Sequence, residues 1–387
     1  MRPLARAVAS LHLPRLLVTH SPDAPLQFTA LHATHQRLGA QLVPFGGWDM
    51  PLQYTSQIKE HLSTRNEVGI FDVSHMGQIL ITGPAAGALA DALVTRAVAD
   101  LPVGEVAYAL LCNGDGGLRD DLMVSRLSAE RFLLVVNAST YADDVAYMQA
   151  IAEQLRLDAQ FTPCAERYAM IAIQGPQWQA TAALALRLSM DDLSLPPMRT
   201  RTFLRAGTEL IYSTTGYTGE PGIEVLCPPE QAESIWKKLL THGAVPVGLA
   251  ARDSLRMEKG MPLSGQDFTT ANNPFEAGLG WAVNLDKAGF PGLAALREIH
   301  AARAQGAGRK FVGLRPQGKR IARHGAKILK DGQVIGEVTS GGFSPVLEAP
   351  IGLGYIDAPF AAAGTVVELD LGRGTIEALV GSRRHVK

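Results

Sequence analysis

Net charge is what this chain has least of. Its 387 residues carry 36 Lys and Arg against 37 Asp and Glu, a formal charge of −1. A balance so close to neutral excludes the broad positive field that draws a protein to nucleic acid or to an anionic membrane. No apolar run reaches the roughly 18 residues that would mark a membrane-spanning helix. Cysteine is scarce: Cys112, Cys164 and Cys227 are odd in number, far apart and without a Cys-x-x-Cys pair. That excludes a disulfide framework and fits reduced, buried thiols in a reducing compartment. None has a histidine near it in sequence, which argues against a cysteine nucleophile. No self-similarity with a period of about 20–50 residues marks a solenoid.

What is present is an ordinary globular composition, 47% hydrophobic and 19% charged. The length exceeds one ordinary core and implies two or three domains, or one large domain with an appendage. The first 26 residues stand apart. Arg2, Arg6 and Arg15 lie among Ala and Leu, and no acid precedes Asp23. This composition resembles an organellar transit peptide, but Pro3, Pro14, Pro22 and Pro25 oppose a long helix. Residues 1–26 are read as a flexible extension of a cytoplasmic protein; a cleaved leader would instead place it in the mitochondrial matrix.

Patterning predicts a mixed α+β chain. Strands are expected at 78–82, 106–112, 121–127, 132–137, 168–174, 209–214 and 223–227. Helices are expected at 85–97, 141–157, 177–187, 229–242 and 248–259. The two do not alternate strictly, which predicts antiparallel sheets under helices rather than a doubly wound sheet. Gln305–Arg309 reads as a linker. It divides a main region, 27–305, from a small β-rich domain, 306–387. In that domain Asp331-Gly332 marks a hairpin, because both turn positions must accept positive φ.

Three segments carry the chemistry. Asp120-Asp121 follows Gly116-Gly117 and begins an apolar run. Neighbours on a strand point to opposite faces, so the two acids do not form a dyad in one pocket. Asp120 shares a face with Leu122 and Val124; Asp121 shares the more mixed face of Met123 and Ser125. Two solvated turn acids fit the same pattern. Asn113–Gly117 lacks the Lys-Ser/Thr ending of a phosphate loop and reads as a hairpin turn. In Gly216–Glu224, three glycines permit close backbone approach, Tyr217 offers a ring and a hydroxyl, and Glu224 starts an apolar strand. A buried carboxylate needs donors, which a heterocycle edge with adjacent N–H and NH₂ groups supplies; a salt-bridged surface loop is the alternative. In Gly248–Glu258, Arg252 and Arg256 share a helix face, suited to a carboxylate or phosphate, or else to ion pairs with Asp253 and Glu258. His32 and His35 lack both the spacing and the neighbouring acids of a helical metal pair, and no metal is expected.

These segments, together with Phe45–Tyr54, Phe71-Asp-Val-Ser-His-Met76 and Val338-Thr-Ser-Gly341, resemble the aminomethyltransferase (T-protein) family of the glycine cleavage system. The likeness runs from about Leu26 to Val380. It implies a three-lobed α+β fold around a central folate channel, with the small C-terminal β-rich domain as a barrel-like lobe. It implies transfer of the methylene carbon of an aminomethyl group, carried on the dihydrolipoyl arm of the lipoylated H-protein, to tetrahydrofolate with release of ammonia. Tetrahydrofolate is then a co-substrate and no metal is required. By the same resemblance Asp121 is the catalytic carboxylate, Glu224 the pterin-binding acid and Arg252 a substrate-binding arginine. Tyr108, Met76, Val135, Asn137 and Tyr217 fall on channel positions. The chain departs from the family at Met261 and Ser264, where tyrosines are frequent, and in its ending, which lacks a Lys-Pro-Phe-like tail. A non-catalytic folate-binding module of the same superfamily, serving RNA modification or iron–sulfur maintenance, is the alternative. Its typical cysteine is absent from Thr215–Glu220. A flavin-linked sarcosine or dimethylglycine oxidising enzyme would need a Gly-x-Gly-x-x-Gly region that is not there.

Overall fold

The structure, a computed structural model, describes residues 25–386 apart from 206, 304, 305 and 307. The expected extension up to residue 24, and Gln305 and Ala307 of the expected linker, lie outside the described residues.

In chain order, α1 (His32–Arg37) leads to a ribbon of β1 (Gln41–Phe45) and β2 (Trp48–Gln53), then α2 (Gln57–Asn66), β3 (Gly69–Asp72), β4 (Gly77–Thr82) and α3 (Ala86–Leu93). The meander β5 (Val106–Cys112), β6 (Leu118–Ser128) and β7 (Arg131–Val136) precedes α4 (Tyr141–Leu155) and β8 (Gln160–Pro163). Next come β9 (Ala169–Gln174), α5 (Trp178–Leu186), α6 (Met190–Leu193), β10 (Thr200–Arg205), β11 (Thr208–Ser213) and β12 (Gly222–Cys227). Then follow α7 (Pro229–Thr241), β13 (Val245–Pro246), α8 (Leu249–Glu258) and α9 (Leu293–Arg303). The chain ends in β14 (Arg309–Pro316), β15 (Lys327–Lys330), β16 (Gln333–Ser344), β17 (Ala349–Asp357), β18 (Val366–Asp370) and β19 (Thr375–Gly381).

Apart from the β1–β2 ribbon, the strands form three bodies. One sheet runs β5-β6-β7-β4-β8, a second runs β10-β11-β12-β9-β3-β13, and β14-β17-β16-β15-β18-β19 close a barrel. In the two open sheets the pairings are antiparallel except for the short β3–β13 contact. Strand β6 shows why the sheets stack as they do. Leu118, Asp120, Leu122 and Val124 are buried, while Arg119, Asp121 and Met123 are only partly so. The period of two sends Leu122 and Val124 against Leu89 of α3 and Met148 and Ile151 of α4. The second sheet is backed in the same way by Trp178 and Ala182 of α5 and Ile235 and Trp236 of α7. The opposite faces meet in a shared apolar layer, with Leu80, Leu133 and Val135 against Phe71, Met170 and Leu226. The barrel seats Phe311, Leu353 and Tyr355 on Leu110, Leu118 and Phe268. Each such side chain contributes about 1.5–3 kcal/mol by leaving water.

The two largest departures from the expected boundaries in the main region are at α3 and β6. Helix α3 stops at Leu93 rather than Ala97, because Val94 is extended. Lys287 caps that end, its Nζ donating to the carbonyls of Val94 and Arg96 at 2.7 and 2.9 Å. Strand β6 begins three residues before Asp121, so the acid pair lies inside the strand rather than at its start. The Asp331-Gly332 turn has φ of +50° and +80°, the left-handed pair that joins β15 to β16.

Glu258 ties the bodies together at the end of α8. Its carboxylate accepts from Arg65 at 2.8 Å and from the Ser344 hydroxyl of the barrel at 2.5 Å, and it pairs with His61 at 3.0 Å. Its backbone carbonyl accepts the N–H groups of His385 and Val386.

Candidate functional site

Strand β6 carries Asp121 on the face turned away from the helices. That face looks into a cavity of about 910 Å³, lined by β5–β7, β12, α8, the loop after α8 and Arg383 from the C-terminal tail. Tyr108, paired with Met123 across the β5–β6 ladder, projects from the same face. Its hydroxyl donates to Asp121 Oδ2 at 2.9 Å. Asn137, just past β7, donates from Nδ2 to Asp121 Oδ1 at 2.8 Å. Burial pushes the Asp121 carboxyl up to about 7, the nearby Asp120 charge adds to it, and the two hydrogen bonds pull the other way. Asp121 therefore exchanges a proton near neutral pH, a state suited to acid–base work.

Across the cavity, β12 brings in Glu224. Its carboxylate accepts from the Thr215 hydroxyl at 2.5 Å, and burial raises its affinity for a proton. Arg252, on α8, lies over the Tyr217 ring at 4.8 Å; its guanidinium stabilises the Glu224 charge. The Tyr217 hydroxyl is anchored to the Pro262 carbonyl at 2.6 Å. The loop that holds Tyr217 is folded onto Gln174. Thr218 Oγ1 donates to Gln174 Oε1 at 2.8 Å, and Gln174 Nε2 donates to the Thr215 carbonyl at 3.1 Å. Gly216 is required there, because a Cβ would come within 1.9 Å of Gln174. His75, of the Phe71–Met76 hexapeptide, also lines the cavity. Burial, and then Arg252, pushes it down to about 4, so it is neutral at pH 7.

All eight residues named from the sequence, Met76, Tyr108, Asp121, Val135, Asn137, Tyr217, Glu224 and Arg252, line this one cavity, as do Met261 and Ser264. The pattern that also fitted two solvated turn acids is corrected: Asp120 is fully buried. The two acids do face opposite ways, yet Asn137 Nδ2 bridges them, donating at 2.8 Å to Asp120 as well. Arg256 is not beside Arg252 in the cavity. It is buried and paired with Asp267 and Asp253, and it donates to Ser340 Oγ at 2.8 Å. Glu220 takes the salt-bridge alternative, with Arg65 at 2.7 Å. His32 and His35 do have acids, brought from afar: Asp49 at 2.8 Å and Asp72 at 2.9 Å.

Two lining residues were not legible from the sequence. Trp281 stacks on Tyr108, with centroids 5.1 Å apart at 21°, yet is 61% exposed. It sits in a single 3₁₀ turn, Gly280–Ala282, too short to show a periodicity. Arg383 lies in the atypical tail, held by the carbonyls of Ala277 and Gly278 at 3.0 and 3.1 Å.

Residues 31–287 match the family model described as the GCVT N-terminal domain, and residues 309–387 match the glycine cleavage T-protein C-terminal barrel domain. An aminomethyltransferase of Streptomyces avermitilis is 42% identical over 367 residues, spanning 92% of this chain and 96% of the relative. One from Halothermothrix orenii is 41% identical, over 88% of this chain and 94% of the relative. The crystal structure of glycine cleavage system aminomethyltransferase T from Bartonella henselae superposes with a TM-score of 0.87 at 36% identity. It covers 93% of this chain and 98% of that one.

Proposed function

The chain belongs to the glycine cleavage T-protein family, and on that premise we propose that it moves a one-carbon unit from the aminomethylated lipoyl arm of an H-protein to tetrahydrofolate. The arrangement of Asp121 carries this reading: a carboxyl that titrates near 7, fixed by two donors and facing an open cavity. The cavity suits a reduced folate. Glu224 offers a carboxylate to an amino-pyrimidine edge, the Tyr108–Trp281 stack offers ring faces, and Arg252 offers a cation to a substrate carboxylate.

In the transfer, the carbon exchanges its bonds to nitrogen and sulfur for two bonds to folate nitrogens. The folate gives up two protons; one leaves with ammonia and the other restores the lipoyl thiol. Asp121, as carboxylate, takes a proton from the attacking folate amine and faces the iminium cation formed as the leaving group departs. Such positioned proton transfer is worth about 10²–10⁴ in rate. A fixed anion in a site shielded from water adds charge stabilisation, and holding both substrates in line adds orientation.

The assay is direct: purified protein, tetrahydrofolate and aminomethylated H-protein should yield ammonia and methylene-tetrahydrofolate. Folate binding with no ammonia would mark a non-catalytic folate module instead. We assign 27–305 to folate binding and 306–387 to the barrel domain. The bacterial sources of the relatives support a cytoplasmic setting; among the described residues no helix is long and apolar enough to cross a membrane.

A further inference from the structure

Behind Asp121, away from the cavity, lies a second buried carboxyl that the proposed reaction does not use. Asp144 stands in the first turn of α4 and is 1% exposed. Its Oδ1 is 3.8 Å from Arg119 Nε, beyond hydrogen-bond reach. Its Oδ2 is buried, and no group among the described residues donates to it. The Asp144 carboxyl meets that of Asp120. Two buried carboxylates in contact are not both ionised, so one of the pair holds a proton.

The contacts identify which. Asp120 receives two donors from Asn137, the backbone N–H at 2.9 Å on Oδ2 and Nδ2 at 2.8 Å on Oδ1. An oxygen pair that receives donors on both atoms is a carboxylate. Asp144, with an undonated oxygen, is the neutral acid, and its hydroxyl completes the Asp120 shell. The same Asn137 Nδ2 then reaches Asp121 Oδ1. The chain of contacts thus runs Asp144, Asp120, Asn137, Asp121.

We propose that Asp144 is a positioning residue: held neutral, it donates to Asp120 and so keeps Asp120 as the anion that orients Asn137 against Asp121. The Asp120 charge also helps to raise the proton affinity of Asp121. Other groups bear on these carboxyls. Tyr108 and Tyr217 face Asp121. Ser264 faces Asp120. Thr140 and Arg119 face Asp144, and Arg119 is itself engaged with Asn113 and the Tyr147 ring. Ser264 Oγ has no hydrogen-bond partner within reach among the described residues, so it does not stand in for the Asp144 donor to Asp120.

The proposal rests on the role of Asp121 given above, and the test separates the two. Isotope-labelled aspartate carboxyls are followed by NMR through a pH titration, with Asp121→Asn identifying the Asp121 signal. Asp144→Asn keeps an N–H donor for Asp120 and should leave the Asp121 midpoint at its wild-type value. Asp144→Val removes the donor. Asp120 then takes up a proton, the like charge is lost, and the Asp121 midpoint should fall by about one unit or more. Asp120→Asn should lower it similarly, and it decides the matter alongside Asp144→Asn should the valine variant not fold. Unmoved midpoints in Asp120→Asn and Asp144→Val overturn the proposal, as does a fall in Asp144→Asn equal to that in the valine variant. Failure of the catalytic reading shows elsewhere: Asp121→Asn would then keep wild-type turnover, whatever the midpoints do.

Discussion

The Tyr108 hydroxyl donates to Asp121 at 2.9 Å while its ring lies flat against Trp281. One tyrosine thus joins the Asp121 carboxyl to the aromatic surface at the mouth of the cavity. Replacing Tyr108 by Phe keeps the stack and removes the donor. A hydrogen bond to a charged group is worth about 1.5–3 kcal/mol, so the Asp121 midpoint should rise by about one to two units. Turnover should drop at neutral pH and recover in alkali. A pH–rate profile no different from wild type would contradict this.

Wild-type turnover should climb as pH rises through about 7, where Asp121 loses its proton. Asp121→Asn should lower turnover by about 10²–10⁴ above pH 7, with a smaller deficit below it, where the wild-type carboxyl is itself protonated, and with folate binding retained. Steady-state rates beside a binding titration give the answer; equal loss of both would make Asp121 a ligand-binding acid only.

The same residue has a cost in stability. Its folded-state proton affinity is raised from the ordinary value of 3.8 to about 7. The folded form therefore holds a proton that the unfolded chain gives up. The penalty is absent below the ordinary value and full above the raised one, on the order of a few kcal/mol. Asp121→Asn should melt above wild type at pH 8 and alongside it at pH 4. Thermal unfolding at the two pH values tests this.

Glu224→Gln should act on binding. The neutral amide cannot accept two donors in parallel, and the KM for tetrahydrofolate should rise roughly tenfold or more with kcat little changed. A fall in kcat at unchanged KM would place Glu224 in the chemistry instead.

Arg256→Met should act on stability. It leaves Asp267 buried and short of its main cation, although Thr339, Ser340 and the Leu263 N–H still donate to it. Breaking a buried pair from one side costs about 3–5 kcal/mol, readable as a lower urea midpoint. A midpoint at wild type would mean that the remaining donors suffice.

Periodicity made the sheets legible because each strand has one face on helices and one on something else. The β6 alternation separated Asp120 from Asp121 correctly. What it could not show is that Asn137, just past the end of the next strand, turns back to join them. The same holds for Arg256. On the helix it matches Arg252, and only Asp267 and Ser340, the latter 84 positions away, reveal it as internal scaffolding. His35 meets Asp72 across 37 residues, a pairing that local spacing cannot supply. Trp281 was missed for a different reason: it lies on a three-residue 3₁₀ turn, too short for a period to show in the sequence. Tyr217, Glu224 and Arg252 stood out within their own segments, alternation supported Asp121, and Met76, Tyr108, Val135 and Asn137 came only through the family resemblance.

Glu258 holds the barrel to the very helix that presents Arg252. One carboxylate thus anchors both the barrel strand that carries Ser344 and the helix that carries Arg252, so Glu258→Gln should loosen the barrel and one wall of the cavity together.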